Sequence, residues 1–264
     1  MTRRLRATAT APALLLALAL SAGCSADEAT PRASGTPTPG AGVDTSDAAA
    51  ERFAALPVDS IEAAVVGDMA RVRTVQAHVV GTHQGFDVVA DVAVDDAADC
   101  VGTLQIGEGT VELLRVAGQV HASFDRELLE ALGHSPIAAE GIVERVADRW
   151  VLLDPASGLT DVAIACQATL EAIGGSVFGD DLADLSVDGL EEIDDRTVLA
   201  LSRESDQGPT RVWVEAAGSH RYVRVEAPRD GQAYVVDQIV YDGDVEVPDP
   251  AARGVVDAAA VGLS

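Results

Sequence analysis

Lysine and asparagine are missing from this chain, and aromatic residues make up only 3% of it. Without lysine there is no phosphate-cradling loop of the Walker type, whose ammonium must reach the terminal phosphates. Ser-x-x-Lys hydrolase chemistry fails for the same reason. A Gly-x-Ser-x-Gly elbow is also lacking: Gly174-Gly175-Ser176-Val177-Phe178-Gly179 is out of step by one and reads as a helix end. Gly107-Glu108-Gly109 falls between two strands rather than before a helix, so it reads as a turn, not a dinucleotide site. Lysine and asparagine codons are AT-rich, so their absence points to a high-GC genome such as an actinobacterial one. Basic charge is scarce too, with 18 Arg against 43 acidic residues.

Histidine is sparse and scattered. His78 and His83 share a strand at an odd spacing, so they face opposite sides and cannot hold one metal. Ser219-His220 lies in a turn with no evident third partner for a nucleophile. Asp180-Asp181, Glu191-Glu192 and Asp194-Asp195 lack the spacing of a calcium loop and read as solvated charge. The expectation is a protein that is not an enzyme, with no cofactor and no metal.

What is present begins at the amino end. Arg3, Arg4 and Arg6 precede an apolar stretch from Ala7 to Leu20, then Leu20-Ser21-Ala22-Gly23-Cys24. A basic start, a short apolar core and small residues before a cleavage point make an export signal, residues 1–23. The core is too short for a membrane span, which needs about 20 apolar residues. Leu20 to Cys24 resembles a bacterial lipobox, in which Cys24 becomes the amino terminus and carries acyl chains, palmitate among them. Two or three chains anchor stably. The expected location is therefore the extracytoplasmic face of the cell membrane, in the cell envelope.

Cys24 and the Ala, Ser, Thr, Pro and Gly of residues 24–50 bury too little to fold and read as a flexible linker. The remaining chain suits one domain, expected over 51–250, with a tail at 251–264. Removal of residues 1–23 leaves 15 Arg against 43 acids, a formal charge of −28. That sign repels phosphate backbones and argues against nucleic-acid binding. Cys100 and Cys166 are the other two thiols. In an exported chain a disulfide is the favoured reading, closing a loop of about 67 residues and adding about 4 kcal/mol in the chain-entropy model. Two separate buried thiols are the alternative.

Periodicity then builds the domain. Ile61, Val65, Met69 and Val72 share a helical face, with Asp59 or Ser60 as N-cap. Phe86, Val88, Ala90, Val92 and Val94 alternate as a strand with one buried face. Val75–His83, Val101–Ile106, Thr110–Val116 and Val120–Phe124 complete an antiparallel meander, because the connections are too short for crossovers. Asp125–Gly133 and Pro136–Asp148 read as helices, and Trp150–Leu153 as extended. Leu159, Val162, Cys166, Leu170 and Ile173 form a helical stripe that turns Cys166 toward the core and Cys100. Strands return at Leu185–Ile193, Thr197–Arg203, Thr210–Glu215, Tyr222–Ala227 and Ala233–Tyr241, after which the chain leaves the sheet. The class is α+β.

This order, with the phrases Cys100-Val101-Gly102-Thr103-Leu104, Gly109-Thr110-Val111-Glu112-Leu113-Leu114, Asp148-Arg149-Trp150-Val151 and Val245-Glu246-Val247-Pro248-Asp249, resembles the actinobacterial LprG/LppX-like lipoproteins. Their fold is similar to that of the LolA/LolB carriers. The resemblance implies a curved antiparallel sheet, a half-barrel of about 10–11 strands, whose concave face is covered by helices. It implies lipid binding there, of a lipid, a glycolipid or an acylated protein. His121 departs from it, since an aromatic residue is more usual at that place. The cavity candidates are Val88, Val92, Leu104, Ile106, Val120, Phe124, Val212, Val214, Val223 and Val225. A regulatory or interaction lipoprotein with a filled core is the alternative reading.

Overall fold

Alternation along Phe86–Asp95 is the simplest expression of the architecture: Val88, Ala90, Val92 and Val94 are buried while Asp87 and Asp91 are exposed. Side chains of successive strand residues point to opposite faces, so one apolar set covers one side of a sheet. The computed structural model describes residues 45–83, 85–154, 165–166, 169, 185–204, 208–229 and 232–263. The expected export signal, Cys24 and most of the expected linker lie outside the described residues. So do Leu159, Val162, Leu170, Ile173, residues 174–179, Asp180 and Asp181.

Two helices come first, α1 (Thr45–Ala54) and α2 (Val58–Met69). A meander follows: β1 (Thr74–His83), β2 (Phe86–Asp95), β3 (Cys100–Ile106), β4 (Gly109–Val116) and β5 (Gln119–Phe124). Then come α3 (Arg126–Ala131), α4 (Pro136–Val146) and β6 (Trp150–Leu152). The second meander is β7 (Ser186–Ile193), β8 (Arg196–Arg203), β9 (Thr210–Glu215), β10 (Tyr222–Arg229) and β11 (Gln232–Tyr241). The chain ends in α5 (Pro250–Arg253), β12 (Val255–Asp257) and α6 (Ala258–Val261).

The described strands form one open sheet of 12 in the order β12-β6-β5-β4-β3-β2-β1-β11-β10-β9-β8-β7. The two meanders meet where β1 pairs with β11, and every pairing is antiparallel except β12 on β6. Tight turns set the registers. Ala117-Gly118 and Asp194-Asp195 have positive φ at both positions, the backbone of a two-residue hairpin turn that suits sheet twist. Asp194-Asp195 thus has a structural reason for its place.

Side-chain chemistry also starts the short helices. The Asp125 carboxylate accepts the N–H of Leu128 at 2.7 Å and caps α3, and its other oxygen accepts the N–H of Thr110 at 2.6 Å. Ser135 caps α4 ahead of Pro136. Gly109 lets β4 approach α3, since a Cβ there would lie 2.4 Å from the Leu128 backbone.

Helical residues Phe53, Ile61, Val65, Leu128, Ile142 and Val261 join strand residues from both meanders in one apolar cluster. Helices therefore cover one face of the sheet, as an α+β fold of the expected kind requires. Ala165 and Cys166 belong to the same cluster, and Cys166 is bonded to Cys100 with Cα atoms 6.1 Å apart.

Four expectations need correction. α2 starts at Val58 with Pro57 at the cap, so neither Asp59 nor Ser60 caps it. α1 begins at Thr45, within the stretch expected as linker, because Ala50 and Phe53 find the core. Residues 251–264 are not a tail: Val255–Asp257 pair with β6, and Ala258, Val261 and Leu263 are buried. That added strand raises the count from about 10–11 to 12. Finally, Val223 faces the opposite side from its expected partner Val225. The pairing of β10 with β9 slips between Tyr222 and Arg224, and the extra residue reverses the alternation.

Candidate functional site

Most of the cavity candidates do gather on the helix-covered face. Val92, Leu104, Phe124, Val212, Val214 and Val225 lie in the main cluster, and Ile106 and Val120 are half-buried against it. Val88 is buried on the same alternation of β2. Val223 instead packs with Val198, Ala200 and Trp213 in a second cluster on the other face. Leu104, Val212 and Val214 are 0% exposed, so no water-sized space touches them. In this conformation these three side chains are packed core.

Open space lies at one end of the central strands β1 and β2. Met69, at the carboxyl end of α2, and Val72, just beyond it, line with Val75 of β1 and Val94 of β2 an opening of about 250 Å³. The rim is polar: Arg73 is paired with Asp96 at 2.5 Å across the opening's edge. The helix stripe and the β2 alternation each supply members of this wall. Periodicity tells which way a side chain points, not where opposed side chains fail to meet, so it does not reveal the opening itself.

The wall is held by residues of the β9–β10 turn. The carboxylate of Asp68, in the last turn of α2, accepts the backbone N–H of His220 at 2.8 Å and is paired with Arg71. The His220 N–H is the main reason, with Arg71 second, that Asp68 titrates below the usual 3.8. The His220 ring stacks on Phe53 of α1, centroids 3.7 Å apart, and its Nδ1 meets the carbonyl of Glu215 at 3.1 Å. Ser219 donates to the Glu215 carboxylate at 3.1 Å. Ser219-His220 is thus a clamp between two helices and the sheet.

His121 is 3% exposed on β5, on the face away from the main cluster, and burial lowers its pKa. Its cross-strand neighbour is Leu114, itself 0% exposed. Among the described residues no group of three side chains is arranged to hold a metal ion. No described helix is long and apolar enough to cross a membrane.

No family model matches the chain, and no curated protein matches it. Among solved structures it is similar to LprF from Mycobacterium bovis, at 15% identity over 74% of this chain and 97% of that one, with a TM-score of 0.46. The Mycobacterium tuberculosis lipoprotein LppX matches at 15% identity over 72% of this chain and 97% of that one, TM-score 0.46. An uncharacterized conserved protein from Thermus thermophilus matches at 11% identity over 75% and 98%, TM-score 0.37.

Proposed function

We propose that this chain is an exported lipoprotein, anchored through an acylated Cys24 on the extracytoplasmic face of the cell membrane, that binds an apolar chain between α2 and the sheet. The ligand class is an acyl lipid, a glycolipid or the acyl group of a partner protein. The observation that carries the reading is the opening of about 250 Å³ walled by Met69, Val72, Val75 and Val94. Whole-ligand pockets usually measure about 300–1,000 Å³, so this space takes the end of a chain. Deeper entry, toward Val92 and Leu104, requires α2 to lift from the sheet. Burial of apolar surface at about 25 cal/mol per Å² drives the binding. No chemical transformation is part of the proposal.

The test is native mass spectrometry and organic extraction of the protein after expression in a related high-GC host. An acyl lipid is expected in the extract and is expected to be lost from Val72→Trp, which fills the opening. An extract without acyl lipid overturns the reading.

A filled-core interaction protein is the second reading, favoured by the 0% exposure of Leu104, Val212 and Val214. It predicts a protein partner, no extractable lipid and no effect of Val72→Trp on that partner.

A further inference from the structure

On the face of the sheet turned away from the helices lies a larger groove, of about 530 Å³, that the apolar-ligand reading does not use. Its floor is low because β2 and β3 present short side chains there, Ala93 and Val101. One wall is β1 with β11, and the other is β4 with the C-terminal turn that brings Arg253 over Trp150 at 4.6 Å.

We propose that this groove binds a neutral oligosaccharide. Both carboxylates in its lining already have a partner. Asp91 is paired with His78 Nδ1 at 2.9 Å, and Glu112 is paired with Arg253. Arg253 is further held by the Ser123 hydroxyl and the Trp150 ring, so it is not a free cation for a phosphate or a carboxylate. Because an ionised carboxylate only accepts, the His78 Nδ1 carries the proton of that hydrogen bond. One N–H of the Gln76 amide is given to the Asp244 carbonyl at 3.1 Å, which leaves its second N–H as a donor and its oxygen as an acceptor. Gln238 and Thr103 add groups that donate and accept. Charges that already have partners, both hydrogen-bonding roles and a small apolar floor suit sugar rings, whose hydroxyls do both and whose C–H faces are apolar.

Gln238 supplies a second, independent observation. It has φ +49°, a backbone conformation that favours glycine, in the middle of β11. The bulge there sets Gln238 and Ile239 against Ala77, turning Ile239 into the core and leaving Gln238 exposed on the groove. Non-glycine residues kept in this region cluster at binding sites.

The experiment is calorimetric titration of the intact, detergent-solubilised protein with malto-, chito-, manno- and galacto-tetraose. At least one is expected to bind, and Gln238→Gly and Asp91→Ala are each expected to weaken it about tenfold, roughly one hydrogen bond to a polar ligand. Gln238→Gly relieves the backbone, so its thermal midpoint is expected to stay or rise while affinity falls. No binding by any of the four overturns the proposal, as does binding that both variants leave unchanged. Tight binding of spermine in place of the sugars, lost in Asp91→Ala, overturns it in favour of a cationic ligand.

Discussion

The carboxylate of Asp68 and the backbone N–H of His220, 152 residues apart in sequence and 2.8 Å apart in space, lock α2 to the turn between β9 and β10. An acidic group in the last turn of a helix opposes the helix dipole, so its place there needs this N–H and Arg71. Asp68→Ala leaves the N–H without its charged acceptor and is expected to destabilise by about 1–2 kcal/mol. Hydrogen exchange should quicken in α2 and at residues 219–221. The sign with pH follows from the lowered pKa. The contribution is full above the usual 3.8 and fades as pH falls through the lower folded value, so the gap between wild type and variant should close in acid. A gap independent of pH would rule out the carboxylate as the cause.

Cys100 and Cys166 are both 0% exposed and close a long loop. Replacing both with Ala is expected to lower stability by about 4 kcal/mol in denaturant titrations. Alkylation of the unfolded, unreduced protein should label neither residue.

His121 is buried with a pKa below its ordinary 6.5. In acid the unfolded chain takes up a proton at this residue before the folded chain does. Stability tied to the neutral ring is therefore present above about 6.5 and is lost as pH falls through the depressed folded value. His121→Phe should flatten that part of the stability–pH curve. An unchanged curve would assign the acid sensitivity elsewhere.

Cys24→Ala is expected to abolish incorporation of labelled palmitate in the producing cell and to leave the unprocessed precursor in place. Retained label on the variant would remove the lipid anchor from the proposal.

Alternation makes the first meander readable almost to the residue: it predicts Val101–Ile106, and the strand runs Cys100–Ile106. Helical spacing likewise places Ile61, Val65 and Met69 on a buried face. The same logic fails where a strand carries one residue more than its neighbour. Val223 and Gln238 each sit at such a slip, and beyond each the faces exchange. The closing segment escapes it because Val255–Asp257 is too short for a period, and only β6 beside it makes it a strand.

Local order therefore comes from the chain's own pattern: the α+β class, the strand sequence, the helix stripes and the partnership of the two internal cysteines. The first three rest on periods of 2 and 3.6 residues and on steric rules that act between near neighbours, and the cysteine pairing on there being two further thiols in a chain expected to be exported. The opening under Met69, the clamp at His220 and the groove beside Gln238 arise from packing between segments far apart in sequence. Such features depend on which side chains meet and which fall short, a quantity that no single segment carries.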